Sequence, residues 1–410
     1  MPNIELMKKY ARLLVRLGIN VQKDKYLVIN TEAENYEMVR YIVDEALKKG
    51  AKDVIVFYKD IHVDKSRAFH LDAEDLSAIP HWQQKAMEDY FNNGADSIIL
   101  KSNYPNFLED IPADKTNALS LLEDNLRNYV RRGVQNNGSH WCIACIPNRK
   151  WAAYVFPELD EENAYEMMWK YIFNFCKITL DKDPVEEWYK DRETFWEYKE
   201  ILDKMDIDYI HFTNSKGTDI KIGMHKSSCW TCGINSLDFN EDNYLPNLPT
   251  AEIASSPDKY RVNGRVYSTK PLVFGGKLVD DFYIEFKDGK VIEFYGNTGN
   301  DVLEKIIRAD EGSCYLGEVA LVSKDSPIAK TDRIYYSTLL DENASCHLAL
   351  GKGFPQCIKD FADKKSFEAF NLNDSSIHVD FMFGSDDMTA TAYTYSGEKI
   401  IIMKDGMITL

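Results

Sequence analysis

Two changes of rhythm along the chain predict a two-domain fold, an N-terminal parallel α/β layer followed by a C-terminal α+β domain with largely antiparallel sheet. In the first half, short apolar runs alternate with amphipathic helical stretches, the pattern of parallel strands joined by helices. From about residue 208 the strands follow one another with turn signals between them, at Ser215-Lys216-Gly217, Asp288-Gly289 and Gly296-Asn297, and helices become few. That is the pattern of antiparallel sheet. At 410 residues the chain is also long for a single core. The boundary is placed near 205, giving domains 1–205 and 206–410.

The elements follow from period and punctuation. Residues 4–17 read as an amphipathic helix. Lys25 to Asn30 is a buried strand. A helix at about 35–49 ends in Lys48-Lys49-Gly50, a cationic last turn and a glycine stop. Asp53 to Tyr58 is the next strand, and a helix at about 81–93 leads through Asn93-Gly94 to the strand Ser97–Leu100. Ser139 to Pro147 is a further strand, followed by Trp151–Pro157, a helix at about 162–178 and a long charged helix at about 184–204. No glycine fingerprint follows any of these strands, so a dinucleotide or P-loop site is not expected. Beyond the boundary, Asp281–Phe286 and Lys290–Tyr295 form a hairpin around Lys287-Asp288-Gly289-Lys290.

Composition narrows the function classes. The chain is 44% hydrophobic and 28% charged, and 49 basic against 66 acidic residues give a net charge of −17. Nucleic acid and anionic membranes need a basic face, so neither is expected as a partner. No apolar run reaches the ~18 residues of a membrane span. The N-terminal stretch is interrupted by charges, unlike a secretory signal. Eight cysteines in so long a chain do not read as a secreted disulfide framework, and a reducing cytoplasmic setting is expected.

The chemistry concentrates between Leu316 and Asp387. Glu318, Glu342, His347, His378 and Asp380 stand within strongly apolar runs, where carboxylates are rare unless paired, hydrogen-bonded or bound to a cation. Ser376 to Phe383 alternates with the strand period of two, which places His378 and Asp380 on one face and Ile377, Val379 and Phe381 on the other. Gly317 to Val322 reads as a second strand, with Glu318 on the face of Ala320 and Val322. Glu342 and His347 are assigned to a loop leading into a short helix. Mixed imidazole and carboxylate donors suit zinc, manganese or cobalt better than calcium or magnesium. Two ions would need more than three or four donors, including one carboxylate able to bridge. Spacing alone leaves open whether His378 and Asp380 are ligands or a satisfied structural pair.

Two Cys-x-x-Cys pairs, Cys142/Cys145 and Cys229/Cys232, are read as structural. The first lies in an apolar strand, where residues three apart point to opposite faces. The second lacks the strand-to-helix context that lowers a thiol pKa. The other histidines, His62, His70, His81, His140, His211 and His225, have no cluster around them.

The motifs Asn247-Leu-Pro-Thr-Ala-Glu-Ile-Ala-Ser-Ser-Pro257, Leu316-Gly-Glu-Val-Ala-Leu-Val322, Asp325-Ser-Pro-Ile328, Leu339-Leu-Asp-Glu-Asn-Ala-Ser-Cys-His347 and Asn373-Asp-Ser-Ser-Ile-His-Val-Asp380 together resemble the aminopeptidase T / aminopeptidase S family of metallopeptidases, the thermophilic aminopeptidases. The resemblance spans nearly the whole chain and is densest from Asn247 onward. It implies a C-terminal catalytic domain carrying two divalent cations (zinc, cobalt, manganese or magnesium), ligated through Glu252, Glu318, His347, His378 and Asp380. Glu342 is a further ligand or base by the same likeness, and Glu318 the bridging residue. The resemblance also implies a homodimer and release of N-terminal residues from peptide substrates. Two departures stand out. Ala251 replaces the first of two adjacent glutamates, and Phe354 replaces an active-site tyrosine seven residues after the block's histidine. Phenylalanine cannot donate to an oxyanion, and losing one such donor costs ~3–4 kcal/mol in comparable sites.

The expected function is therefore a metal-dependent aminopeptidase, with Glu318 and Glu342 as the catalytic carboxylates and Phe354 in the substrate pocket. The rival readings are a catalytically weak metal- or peptide-binding relative and a metal-dependent hydrolase of a non-peptide amide.

Overall fold

The structure is a computed structural model that describes residues 2–234, 237, 243–275, 277–361 and 366–410. It comprises two compact units, Met1–Lys190 with Ile234–Pro249, and Asp191–Gly233 with Thr250–Leu410. The sequence boundary near 205 stands just beyond the helix Pro184–Lys204, within which the first passage between units falls. The return of Ile234–Pro249 to the first unit has no counterpart in a reading with one boundary.

The first unit is the parallel α/β layer that the alternating pattern predicts. Asn3 caps α1 (Ile4–Leu13) by accepting from the Glu5 N–H at 2.9 Å. Strand β1 (Tyr26–Glu32) leads to α2 (Tyr36–Lys49), which stops at Gly50 in the left-handed region, φ +105°. Then follow β2 (Asp53–Lys59), α3 (Ile61–His70), α4 (Ala73–Ser77), α5 (His81–Asn92), β3 (Asp96–Lys101), α6 (Ala113–Asn137) and β4 (Trp141–Cys145). These four strands are parallel, in the order β2-β1-β3-β4. The core on one face forms around Val28, Met87, Phe91, Ala95, Tyr129 and Val130. Helices α3, α4 and α6 are absent from the sequence reading. α6 shows why: of its 25 residues only Thr116, Ala118, Tyr129, Val130 and Gly133 are buried, so its apolar stripe is too sparse to announce a helix. The remaining helices are α7 (Arg149–Val155), α8 (Glu161–Phe175) and α9 (Pro184–Lys204).

The second unit opens with β5 (Ile207–Thr213) and β6 (Asp219–Met224). The chain then returns to the first unit, where β7 (Asn247–Leu248) joins the parallel sheet beside β4. The rest of the chain adds β8 (Ile253–Ser255), β9 (Pro257–Tyr267), β10 (Leu272–Phe274), β11 (Lys277–Lys287), β12 (Lys290–Thr298), α10 (Asn300–Ile307), β13 (Leu316–Leu321), α11 (Thr338–Asp341), β14 (His347–Gly351), β15 (His378–Met382), β16 (Thr389–Thr394), β17 (Lys399–Lys404) and β18 (Met407–Ile408). Nine strands form one antiparallel sheet, ordered β10-β11-β9-β6-β5-β16-β17-β18 with β12 beside β11. Four more form a second antiparallel sheet, β15-β14-β13-β8. Every residue of β13 and β14 is buried, so these two strands are covered on both faces.

The β11–β12 hairpin turns at Asp288-Gly289 with φ of +50° and +83°, between the paired Lys287 and Lys290. Two consecutive left-handed residues make the primed turn that matches strand twist. A Cβ on Gly289 would stand 1.6 Å from the Lys259 carbonyl oxygen. Gly289→Ala is therefore expected to destabilise the second unit by about 2–4 kcal/mol, read as a lowered midpoint in denaturant unfolding at unchanged slope.

Candidate metal centre

Strand pairing assembles this site. In the four-stranded sheet Glu318 lies opposite Ala349, and Ala349 lies opposite Asp380. His347 pairs with Ala320 and Met382, and Gly351 pairs with His378. Paired residues point to the same side of a sheet and residues two apart share a face. Glu318, His347, His378 and Asp380 therefore project from one face of three adjacent strands. The central strand contributes only a methyl at Ala349 and a hydrogen at Gly351 between the carboxylates. Gly317 is the extra residue of a bulge in β13, where a Cβ would lie 2.3 Å from the Lys352 carbonyl oxygen. Glu252 arrives from the segment just before β8, an outer strand of the same sheet.

The donor atoms form two groups that share one residue. Glu252, Glu318 and His347 make the first, and Glu318, His378 and Asp380 the second, with each group's ligand atoms within 4.8 Å of one another. His347 Nε2 stands 3.1 Å from Glu252 Oε2. His378 Nε2 stands 3.0 Å from Glu318 Oε2 and 3.1 Å from Asp380 Oδ1. Both imidazoles are oriented by main chain. Nδ1 of His347 lies 3.0 Å from the Glu342 carbonyl oxygen, and Nδ1 of His378 lies 2.7 Å from the Lys352 carbonyl oxygen. A carbonyl only accepts, so both rings carry the proton on Nδ1 and present Nε2 to the cluster. That is the arrangement of a ligating histidine held by a neighbour.

Electrostatics explain what such a cluster needs. Burial raises the Glu318 carboxyl pKa, although His378 opposes it, while Asp380 and Glu252 add repulsion. Glu342 is pushed well above the carboxylate range by burial and then by Asp380 and Glu252. Burial would lower His347, but the carboxylates of Glu252, Glu318 and Asp380 outweigh it and lift the ring to about 10. His378 is raised in the same way by Asp380 and Glu318, against burial. Asp380 Oδ1 is buried, with the His378 imidazole 3.1 Å away but no well-formed hydrogen bond. Crowded buried carboxylates around two Nε2 atoms are a donor set that a divalent cation satisfies, and mixed N/O donors fit zinc-like ions.

The expected site residues take distinct places. Glu252, Glu318, His347, His378 and Asp380 converge. Glu342 is 8% exposed and near enough to be shifted by Asp380 and Glu252, but it belongs to neither donor group. The local secondary structure differs from the reading of a loop entering a short helix. The short helix α11 comes first, Glu342 opens a 3-10 turn to Ala344, and His347 begins strand β14. His347-Leu-Ala-Leu-Gly351 is apolar on both sides because β14 is covered on both faces, which hides the alternation. The Phe354 ring lies 4.7 Å from the His378 ring between centroids, and its N–H donates to Ser256 Oγ at 2.8 Å.

Supporting residues escape a search for donors. The Asn343 side-chain oxygen accepts from the Ala251 N–H, next to Glu252, while its amide donates to the Leu339 carbonyl at 2.9 Å. Asp341 accepts from the N–H groups of Tyr335 and Ser337 at 2.8 and 3.0 Å. The fully buried Arg192 donates to the carbonyls of Cys232 and Thr250 at 2.7 and 3.2 Å. Asp341 and Asn343 showed only as polar residues inside an apolar block, and Arg192 had no signal at all within its charged helix. All eight cysteines are free thiols, and among the described residues none belongs to a metal-compatible group.

Comparison with known proteins is consistent in every direction. The family model described as thermophilic metalloprotease (M29) matches residues 4–408. Aminopeptidase AmpS of Bacillus subtilis (strain 168) is 34% identical over 402 residues, covering 98% of this chain and 97% of the relative. Aminopeptidase T of Thermus thermophilus is 30% identical over 400 residues, covering 98% and 97%. The solved structure of wild-type AmpT from Thermus thermophilus superposes with a TM-score of 0.89 at 28% identity, covering 99% of each chain.

Both histidines must lose a proton to bind a cation, and both are held protonated by the carboxylates around them. Metal uptake is therefore expected to release protons, and apparent affinity is expected to rise with pH up to about 10, the His347 value. Zinc titration in weakly buffered solution measures both. Uptake without proton release would contradict these shifts. His378→Ala is expected to lower the metal content of purified protein.

Proposed function

The chain belongs to the M29 family of thermophilic metalloproteases, and from that premise we propose that it is a metal-dependent aminopeptidase that removes N-terminal residues from peptides. The observation that carries this reading is the pair of donor groups sharing Glu318. A carboxylate common to two groups is what two adjacent cations require as a bridge, which supports a two-ion site with Glu252 and His347 on one side and His378 and Asp380 on the other. Zinc, cobalt, manganese and magnesium are the candidate ions, and imidazole donors favour the first three.

Divalent cations bound there would supply Lewis acidity to the scissile carbonyl and a water of lowered pKa. The residues of the chain do the rest. Glu318, between the two histidine groups, orients both halves of the site. Glu342, buried beside the cluster and outside both donor groups, is the carboxylate free to take a proton from the attacking water and return it to the leaving amine. The acidic surroundings also favour a substrate's free α-ammonium, which accounts for cleavage at the N-terminus. Phe354, its ring tilted against that of His378, shapes the pocket wall and excludes water.

Two further attributes belong to the same proposal. The eight cysteines, none of them in a disulfide, support a cytoplasmic setting. The family resemblance supports a homodimer, which sedimentation at several concentrations tests.

Activity on a panel of aminoacyl anilides is expected to vanish on chelation and to return when single metals are restored, while N-acetylated anilides stay intact. Full turnover by metal-free protein would end this reading.

The second expectation concerns Phe354. If a phenol at this position stabilises the transition state, Phe354→Tyr should raise kcat ten-fold or more with little change in KM, equivalent to at least about 1.4 kcal/mol. An unchanged kcat at unchanged metal content would show that another donor already fills the role.

A further inference from the structure

The first unit contains a second cluster of charges, unrelated to the metal centre. Lys59, Glu32 and Lys101 are the last residues of β2, β1 and β3. Glu32 is paired with Lys59, and Thr31 with Leu100, so Glu32 and Lys101 are next in register. The three side chains therefore form a row at the carboxyl edge of the parallel sheet. The order β2-β1-β3-β4 reverses direction between β1 and β3. In open α/β sheets the crevice outside such a reversal is where ligands bind. Helix α6 supplies the facing wall with Glu123 and Arg127, one turn apart.

Most of these charges are matched. Lys59 donates to Glu123 at 2.6 Å and lies 3.3 Å from Glu32 Oε1. Arg127 donates to Glu123 at 3.1 Å and to Asp124 at 3.2 Å. Two groups are left over. Glu32 is 4% exposed, and its Oε2 has no hydrogen-bond partner. The Lys101 ammonium has no hydrogen bond and no ion pair among the described residues. Burial lifts the Glu32 carboxyl to about 7 despite Lys59, and burial followed by Arg127 lowers Lys101. A buried carboxylate oxygen and an ammonium are thus held unpaired where that is costly. Access exists on the Lys59 side, whose side chain is 48% exposed.

We propose that this edge binds a small zwitterionic α-amino carboxylate, its ammonium taken by Glu32 Oε2 and its carboxylate by Lys101. The chemistry selects this class. The acceptor and the donor stand on adjacent strands, roughly 4.8 Å apart at the backbone, a spacing suited to the two charged groups carried on one carbon. Glu32, Glu123, Asp124 and Asp64 stand against Lys59, Lys101, Arg127 and Arg67, four charges of each sign, so a ligand without net charge preserves the balance. A bare cation would leave Lys101 unmatched, and a bare anion would leave Glu32 Oε2 without a donor.

The test is calorimetric titration of the full-length protein with free glycine, L-leucine, L-lysine and L-glutamate. It continues with 3-methylbutylamine and 4-methylpentanoate, which are leucine lacking one charge or the other. At least one amino acid is expected to bind, and each single-charge analogue of leucine to bind at least ten-fold more weakly than leucine or not at all. Glu32→Gln and Lys101→Met should each weaken amino-acid binding ten-fold or more without lowering the thermal unfolding temperature, while His378→Ala leaves binding intact. The proposal is overturned if no amino acid binds, if an analogue lacking one charge binds as tightly as leucine, or if binding survives both sheet-edge variants and disappears in His378→Ala. The analogue comparison is repeated on metal-free protein and on His378→Ala, so that binding at the metal centre does not enter it, and loss of amino-acid binding in both would overturn the proposal even if a sheet-edge variant fails to fold.

Discussion

Crowding of carboxylates is the constraint on which the second unit depends. Glu252, Glu318, Glu342 and Asp380 surround two imidazoles in a region where Glu318 is 5% exposed and His347 is 1% exposed. Such a set is tolerable only if protons or cations neutralise it. The raised values of Glu318, Glu342, His347 and His378 show protons doing so when no cation competes. The surroundings hold the donors against that repulsion. Two neighbouring strands share the buried β14, Asn343 ties the Glu252 segment to the turn after Glu342, and Arg192 grips the main chain at Thr250. A site with this much opposing charge needs a rigid frame, and an antiparallel sheet with no free side on its central strands is one.

Part of this arrangement was legible in the residues. Alternation placed His378 and Asp380 on one face, and the run after Gly317 placed Glu318 on a strand. Both readings work because side-chain period survives where one face of a strand differs from the other. His347 was harder: its strand is apolar on both faces, so period carried no signal and the preceding turn was mistaken for the context. Glu252 is far from the others in sequence, and only the family motif connected it to them. In the first half, strong strands and capped helices were readable, whereas α6 was not, since a charged helix lying over a sheet edge buries few residues. The supporting roles of Asn343, Arg192 and Ser256 depend on which backbone groups come near them, and that is a property of the tertiary fold.

Phe354 and Ala251 are the two positions at which the family resemblance implies a departure, and both fit the frame. Phe354 keeps its ring against His378 and its N–H on Ser256, so the position is structurally retained while the hydroxyl is absent. Ala251 keeps the one group that holds its segment in place, its N–H on Asn343. In both cases the main chain does the positioning and the side chain is free to vary. The same division holds at the sheet edge of the first unit, where strand register aligns Lys59 and Glu32 whatever their charges do.

The orientation of His347 and His378 by backbone carbonyls has a consequence for anyone who would retune this site. Where a side-chain carboxylate holds a ligating histidine, a single substitution can change the donor strength and aim of the ring. Here the supporting groups are peptide oxygens of Glu342 and Lys352, present whatever residue occupies those positions. The rings are thereby insulated from point mutation in their outer layer. Changing the ionic preference of the centre would require replacing the donors themselves or moving the strands that carry them.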